Sequence, residues 1–199
     1  MHDSRPDPVL GIHYSADPTP GRHTIGSEQY YDVTHLWEKV SWAPNSGSYV
    51  KADENIPSEK VALKSVANSC YKELTDGVGG CMFAMVTGVN HWKLFEWVNA
   101  ATGWQKTPDE FMVIGKRIQT LRQLFNVKQG IDPMSFKMSS RMAGEPPLLE
   151  GPNKGKTVPI EAMMHLHWKA FGWDEQTGIP TQETVTQLGI NELCAEKVQ

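Results

Sequence analysis

From residue 58 onward the apolar positions recur at helical spacing. Ser58 is placed to cap a first turn, and Val66, Cys70 and Leu74 then fall on one face at i, i+4 and i+8. This predicts a helix over residues 58–74, broken by Asp76-Gly77 and Gly79-Gly80. A shorter helix is predicted over 91–101, with Leu94, Phe95 and Val98 on one side. Thr107-Pro108-Asp109-Glu110 is the strongest start signal. Thr107 is the cap, Pro108 suits the first helical position, and Glu110 completes a capping box. The helix it opens puts Phe111, Ile114, Ile118, Leu121 and Phe125 on one face and stops near Gly130. Residues 133–157 read as a connection rich in proline and glycine. A further helix fits 159–171, ended by Gly172, and a last short one runs from a Thr181 cap to Gly189. No period-two alternation supports a strand.

Residues 1–57 differ in texture. They show little helical periodicity and are dense in Pro, Gly, Ser and Asp, which predicts loops and short pieces. They also hold Tyr14, Tyr30, Tyr31, Trp37 and Trp42, too many aromatics for a disordered tail, so the loops are expected to be ordered against something. The expected fold is all-α: an irregular bundle of about five or six helices over residues 58–199, preceded by the loop-rich segment 1–57, in one domain overall.

The chain has 199 residues, enough to bury a core in one domain. With 19 basic and 23 acidic residues the net charge is −4, which offers no basic footprint for nucleic acid. The longest apolar run, residues 81–86, is far below the roughly 20 residues a membrane helix needs. No basic stretch leading into an apolar run opens the chain, so no signal peptide is expected. Three scattered cysteines do not make a disulfide scaffold, and the expectation is a cytoplasmic protein with reduced thiols.

Candidate chemistry concentrates at a few positions. Cys81 follows a glycine-rich turn that could let the backbone approach a bulky cofactor, with free glycine N–H groups aimed at cluster sulfurs; it could equally be an inert buried thiol. A cubane cluster needs about four thiolates, and Cys70, Cys81 and Cys194 are three without CxxC spacing. Asp76 can accept two parallel hydrogen bonds from a planar N–H pair, such as a pterin edge, or it can simply form its own turn. His23 lies in a Pro/Gly loop, Pro18-Thr19-Pro20-Gly21-Arg22-His23, either as acid, base or ligand or as a solvated imidazole. His165 and His167 fall on different helix faces, so one is expected to pack and one to be solvated. P-loop, HExxH, GxSxG and GxGxxG patterns are absent.

The string Asp76-Gly77-Val78-Gly79-Gly80-Cys81-Met82-Phe83 resembles the Asp-x-x-Gly-Leu-Cys-x-Phe stretch of the tungsten-containing aldehyde:ferredoxin oxidoreductases. Other segments resemble the same family in order along the chain. Asp3-Ser4-Arg5 is similar to its Asp-Pro-Arg element. Gly11 to His23 is similar to its Gly-x-x-Tyr-Ala-Thr segment leading to a histidine. Residues 117–130, the Gly151-Pro152 turn and residues 172–189 resemble its later stretches. The resemblance implies that Cys81 is the fourth ligand of a [4Fe–4S] cluster and that Asp76 and Gly80 lie on a pterin-binding loop. It implies that His23 stands near a tungsten (or molybdenum) bis-pterin centre. Gly80 departs from the family's leucine, which is expected to loosen the loop without preventing binding.

The resemblance covers only the C-terminal third of such an enzyme, so the chain looks like a split or truncated frame. Implied partners are the remaining N-terminal domains, ferredoxin and a small aldehyde, oxidised to a carboxylic acid. The isolated chain is expected to be inactive and to expose a patch of aromatics from residues 1–57 and 82–97 around the 76–81 turn. Two rivals remain open: a benzoyl-CoA reductase-type member, and a non-catalytic helical remnant or interaction module.

Overall fold

The computed structural model describes residues 2–46, 55–87 and 92–195. Among them the chain forms ten α-helices and no strand, only two isolated bridges. In order they are α1 (Pro8–Ala16), α2 (Glu28–Thr34), α3 (Glu59–Gly77), α4 (Met82–Thr87), α5 (Leu94–Thr102), α6 (Pro108–Lys128), α7 (Ser140–Ala143), α8 (Ile160–Phe171), α9 (Gln182–Gln187) and α10 (Asn191–Ala195). The all-α expectation holds, with more helices than the five or six that periodicity predicts.

The middle of the molecule is α3. Ser58 caps it as expected, its hydroxyl accepting from Val61 N–H. Neighbouring helices α1, α2, α4, α6 and α8 pack around it, so both its apolar and its polar faces are buried. Along its length α6 crosses so closely at Gly115 that any Cβ there would overlap the Cys70 carbonyl. Its buried polar face is matched side chain by side chain. Ser65 Oγ lies 2.6 Å from His167 Nδ1, Asn68 donates to the Ser27 carbonyl at 2.9 Å, and Ser69 Oγ lies 3.5 Å from His13 Nδ1. His13 and His167 have no exposed surface, and their rings meet edge to face at 5.7 Å. Burial pushes His167 down to about 3 and His13 well below the ordinary imidazole value, so both are neutral. His165 sits at the edge, its Nδ1 2.5 Å from the Glu175 carbonyl oxygen.

Two helices lie in the loop-rich segment, where periodicity shows neither. Every residue of α1 is buried, against α8 and α3. A helix buried on all sides has no solvent-facing polar stripe to set against a core face, and so carries no 3.6-residue signal. Its start is orthodox: Asp7 caps it and Pro8 takes the first position. Tyr14 and Tyr31 are buried, and Trp37 and Trp42 pack on the core. The segment therefore does not contribute the exposed aromatics expected of it.

Over 107–130 the expected helix forms, with both halves of the capping box made. The buried face differs from the expected one: only Phe111 of the predicted positions is buried, Ile114, Ile118 and Leu121 are half-buried and Phe125 is 61% exposed, while Met112, Gly115, Gln119, Thr120 and Gln123 are buried. Beside Phe125, Leu121 and Leu124 instead receive Val185, Leu188 and Ile190 around α9. Within the predicted connection 133–157 the structure adds a 3-10 turn at Pro133–Ser135 and the single turn of α7. The helix expected over 91–101 appears as α5; His91 lies outside the described residues, as does the Cys194 side chain.

Candidate functional site

The C-terminal end of α3 builds the turn that carries Asp76, Gly80 and Cys81. Gly79 takes φ +74°, donating to the Asp76 carbonyl at 2.9 Å while Gly80 N–H donates to the Thr75 carbonyl at 2.7 Å. This is a Schellman closure, and it requires a residue able to adopt the left-handed conformation at position 79. It also corrects one expectation. The N–H groups of Gly79 and Gly80 cap α3 and are not free to face a cluster. Cys81 instead opens α4, its carbonyl accepting from Met85 N–H at 3.0 Å. The N–H groups near it belong to the first turn of α4, which a helix leaves without intrahelical partners.

Cys81 is exposed, whereas Cys70 is sealed in the core and its thiol is pushed up to about 12 by burial. Gly80 is tightly held. A Cβ there would lie 2.8 Å from both Thr75 Cγ2 and the Thr75 carbonyl oxygen, and 3.2 Å from the Trp92 ring. A side chain at this position would meet Thr75 first and then the Trp92 ring, so the turn as folded has room for glycine and not for leucine.

Asp76 is exposed and doubly paired. Its Oδ2 accepts from Arg22 Nη2 at 2.5 Å, and its Oδ1 accepts from Lys72 one turn back on α3. A carboxylate at a helix C-terminus meets the negative end of the dipole, and these two cations offset it. Beside it Glu73 is buried and accepts from Arg122 of α6 and, at 3.4 Å, from Arg22 Nη1.

His23 follows Arg22 directly, so its Cα lies about 3.8 Å from that of the residue clasping Asp76. The imidazole is exposed and meets the His2 ring edge-on at 5.0 Å. The loop beneath it is anchored. Asn126 donates to the Pro18 carbonyl at 2.6 Å, Gly21 N–H donates to the Tyr14 carbonyl at 3.1 Å, and Asp17 Oδ1 accepts from Thr19 N–H at 2.7 Å. Asp17 is buried, accepts also from Gln119 at 2.9 Å, and is raised to about 6 by burial. The structure thus brings the His23 loop to the same end of α3 as Asp76 and the Cys81 turn. Sequence reasoning missed the residues that do this. Arg22 and Glu73 are distant in the chain, Trp92 carries no local signal, and only the Lys72–Asp76 spacing was available.

Next to the turn an apolar cavity of about 250 Å³ opens, lined by Leu74, Val78, Phe95, Val98, Trp104 and Phe111. Its one hydroxyl, on Thr102, donates to the Val98 carbonyl at 2.6 Å. Val78, Phe83, Trp97 and Trp104 are each about half exposed or more in this part of the chain. Among the described residues no group of three or more His, Cys, Asp or Glu could hold a metal by itself. No described helix is long and apolar enough to cross a membrane.

Cys81 and Asp76 thus present an exposed thiol and an exposed carboxylate on one turn. A family model described as aldehyde ferredoxin oxidoreductase, domains 2 and 3, matches residues 1–190. The tungsten-containing aldehyde ferredoxin oxidoreductase of Pyrococcus horikoshii is 33% identical over 148 residues, covering 73% of this chain and 23% of that protein. The Pyrococcus furiosus enzyme of the same description is 38% identical over 121 residues, 60% of this chain and 20% of that protein. A second P. furiosus protein, described as an aliphatic sulfonate oxidoreductase WOR-like subunit, is 28% identical over 184 residues, 88% of this chain and 27% of that protein. The chain spans about a fifth to a quarter of the length of these relatives. By the extent of the family match, together with the ordered turn, helices and caps that carry it, this chain belongs to the aldehyde ferredoxin oxidoreductase family.

Proposed function

We propose that this chain forms one wall of the cofactor site of a tungsten–bispterin oxidoreductase that converts aldehydes to carboxylic acids. In this reading the Cys81 thiolate is the fourth ligand of a [4Fe–4S] cluster, and Asp76 and the Gly80 backbone hold one pterin. His23 takes up and releases the proton. When bound, the tungsten (or molybdenum) group and the cluster supply the redox chemistry and pass electrons to ferredoxin. The chain's own contribution is positional and acid–base. Asp76 offers a carboxylate to a planar N–H pair, and the Schellman turn sets the spacing between that carboxylate and the thiolate. His23 offers an exposed imidazole that can accept and donate a proton. The remaining N-terminal domains complete the ligand sets, in a cytoplasmic enzyme acting on a small aldehyde. Segment 1–57 is read as the cofactor-facing part of the chain, with His2 and the His23 loop nearest the turn.

The observation that supports this reading most is the joint placement of an exposed thiol and an exposed carboxylate on one turn, with the His23 loop clasped to it. The test is to produce the chain with the polypeptide that supplies the missing domains and to count iron. Cys81→Ala is expected to lose cluster iron, and Cys70→Ala to keep it. Full iron loading by Cys81→Ala would remove the ligand role. A second substrate class is favoured by the relative that matches 88% of the chain, whose description names aliphatic sulfonates. Dye reduction by the assembled enzyme, with an aldehyde and with an alkyl sulfonate in turn, separates the two.

A further inference from the structure

We propose that Arg22 is the positioning residue of this site: its guanidinium, shared between Asp76 and Glu73, sets where His23 stands relative to the 76–81 turn. The inference rests on the reading of His23 as the proton-handling group. It is carried by the geometry around Arg22.

Arg22 uses three edges of its planar fork at once. Nη2 donates to Asp76 Oδ2 at 2.5 Å, Nη1 reaches Glu73 Oε1 at 3.4 Å, and Nε donates to Thr24 Oγ1 at 3.0 Å. A rigid guanidinium held in three directions has a fixed orientation, which a flexible ammonium would not have. His23 lies between Arg22 and Thr24, so both of its chain neighbours are tied to the same cation. The anchors from Asn126, Tyr14 and Asp17 act on residues 17–21, and one long backbone bond, from Arg22 N–H to the Thr19 carbonyl at 3.4 Å, carries on across Gly21. The chain is next fixed at the fully buried Ile25, and between these two points the Arg22 guanidinium ties residues 22–24 to α3. On the other side of the His23–His2 ring contact, His2 N–H donates to the Tyr14 hydroxyl at 2.9 Å.

The far end of the bridge is firm. Glu73 is buried on α3 and is also gripped by Arg122 from α6, so Arg22 pairs with a carboxylate that two helices fix. Asp76 has room for more. A carboxylate accepts about four hydrogen bonds, so Asp76 can hold Arg22, Lys72 and a planar N–H pair together. Arg22 therefore acts beside a ligand on Asp76 and links the placement of His23 to the residue that would clamp the cofactor.

The test uses the full 199-residue chain and no cofactor. Magnetisation transfer between the His2 and His23 ring protons and amide exchange at residues 22–24 are measured by NMR. The variants are Arg22→Gln, Asp76→Asn and the double variant. Both single changes leave Glu73 with Arg122, so α3 and α6 are expected to keep their amide protection. Arg22→Gln removes all three contacts and is expected to abolish the His2–His23 ring contact and to speed exchange at residues 22–24 at least tenfold; Asp76→Asn removes the charged arm alone, leaving Glu73 and Thr24 on Arg22, and is expected to speed that exchange by a smaller factor. The double variant is expected to match Arg22→Gln, because Asp76 acts on the loop through Arg22. Persistence of the ring contact and of slow exchange in Arg22→Gln, or a double variant looser than Arg22→Gln, would overturn the proposal. Should Arg22→Gln fail to fold, Asp76→Asn decides alone: faster exchange at residues 22–24 supports the proposal and unchanged exchange overturns it. Iron and pterin play no part in this measurement, so its failure and a failure of the Cys81 experiment are separate results.

Discussion

Burial keeps His13 and His167 neutral in the fold, whereas an imidazole in the unfolded chain takes a proton below about pH 6.5. Below that pH the unfolded state binds more protons, so stability is full above 6.5 and falls as pH drops towards the depressed value of about 3 for His167. Each histidine adds a slope of up to about 1.4 kcal/mol per pH unit. Asp17 works in the opposite sense. Its folded-state value of about 6 lies above the ordinary 3.8, so its contribution is complete below 3.8 and is lost as pH rises through about 6. Urea unfolding between about pH 4 and 7 should show stability decreasing with acid, and Asp17→Asn should steepen that decrease between about pH 4 and 6. A flat profile would mean that the two histidines are charged or hydrated in the fold. None of this was legible locally. His13 and His23 lie ten residues apart in the same loop-rich stretch, and only packing against α3 and α8 separates a sealed imidazole from an exposed one. Likewise Cys70 and Cys81 differ in accessibility because one faces α6 and the other follows a helix stop.

Helices with two unlike faces and explicit caps could be read directly. Thr107 and Glu110 satisfy each other's backbone N–H, and Thr107→Ala should cost about 1 kcal/mol in unfolding free energy. Gly115, on the same helix, looks like a weak point by propensity and is required by packing. Gly115→Ala would force a methyl into the Cys70 carbonyl, so a loss of about 1–3 kcal/mol is expected, while the exposed Val113→Ala should change stability by no more than about 0.5 kcal/mol. Denaturation midpoints of the three variants check the ranking; a Gly115→Ala protein as stable as the parent would contradict the close crossing. By contrast α1 is buried on every side and α4 has only six residues, so neither carries an alternating pattern to detect.

Taken together, the core is closed along α1, α3, α6 and α8 and open around the 76–81 turn. The cavity lined by Val78 and Trp104 is an apolar surface that an isolated chain presents to water, and Phe83 and Trp97 are exposed as well. Produced alone, the chain should enhance the fluorescence of an anilinonaphthalene dye and self-associate in a concentration-dependent way, despite its −4 charge. Val78→Ser with Trp104→Ser should reduce both signals. Dye binding unchanged in that double variant would place the sticky surface elsewhere. Of the aromatics expected on such a patch, Tyr14, Tyr31, Trp37 and Trp42 of residues 1–57 turn inward onto the core.

Helix class, the caps at Ser58, Thr107 and Thr181, and the stops at Gly79, Gly130, Gly172 and Gly189 could all be read from the chain alone. Each depends on residues within a few positions of one another, where backbone geometry and side-chain hydrogen bonding are local. The turn carrying Asp76 and Cys81 was legible for the same reason. Long-range packing decided the rest: which cysteine is reachable, which histidines are sealed, and that Arg22, 54 positions away, clasps Asp76. Those outcomes depend on desolvation and charge pairing between helices that meet only when the chain closes around α3.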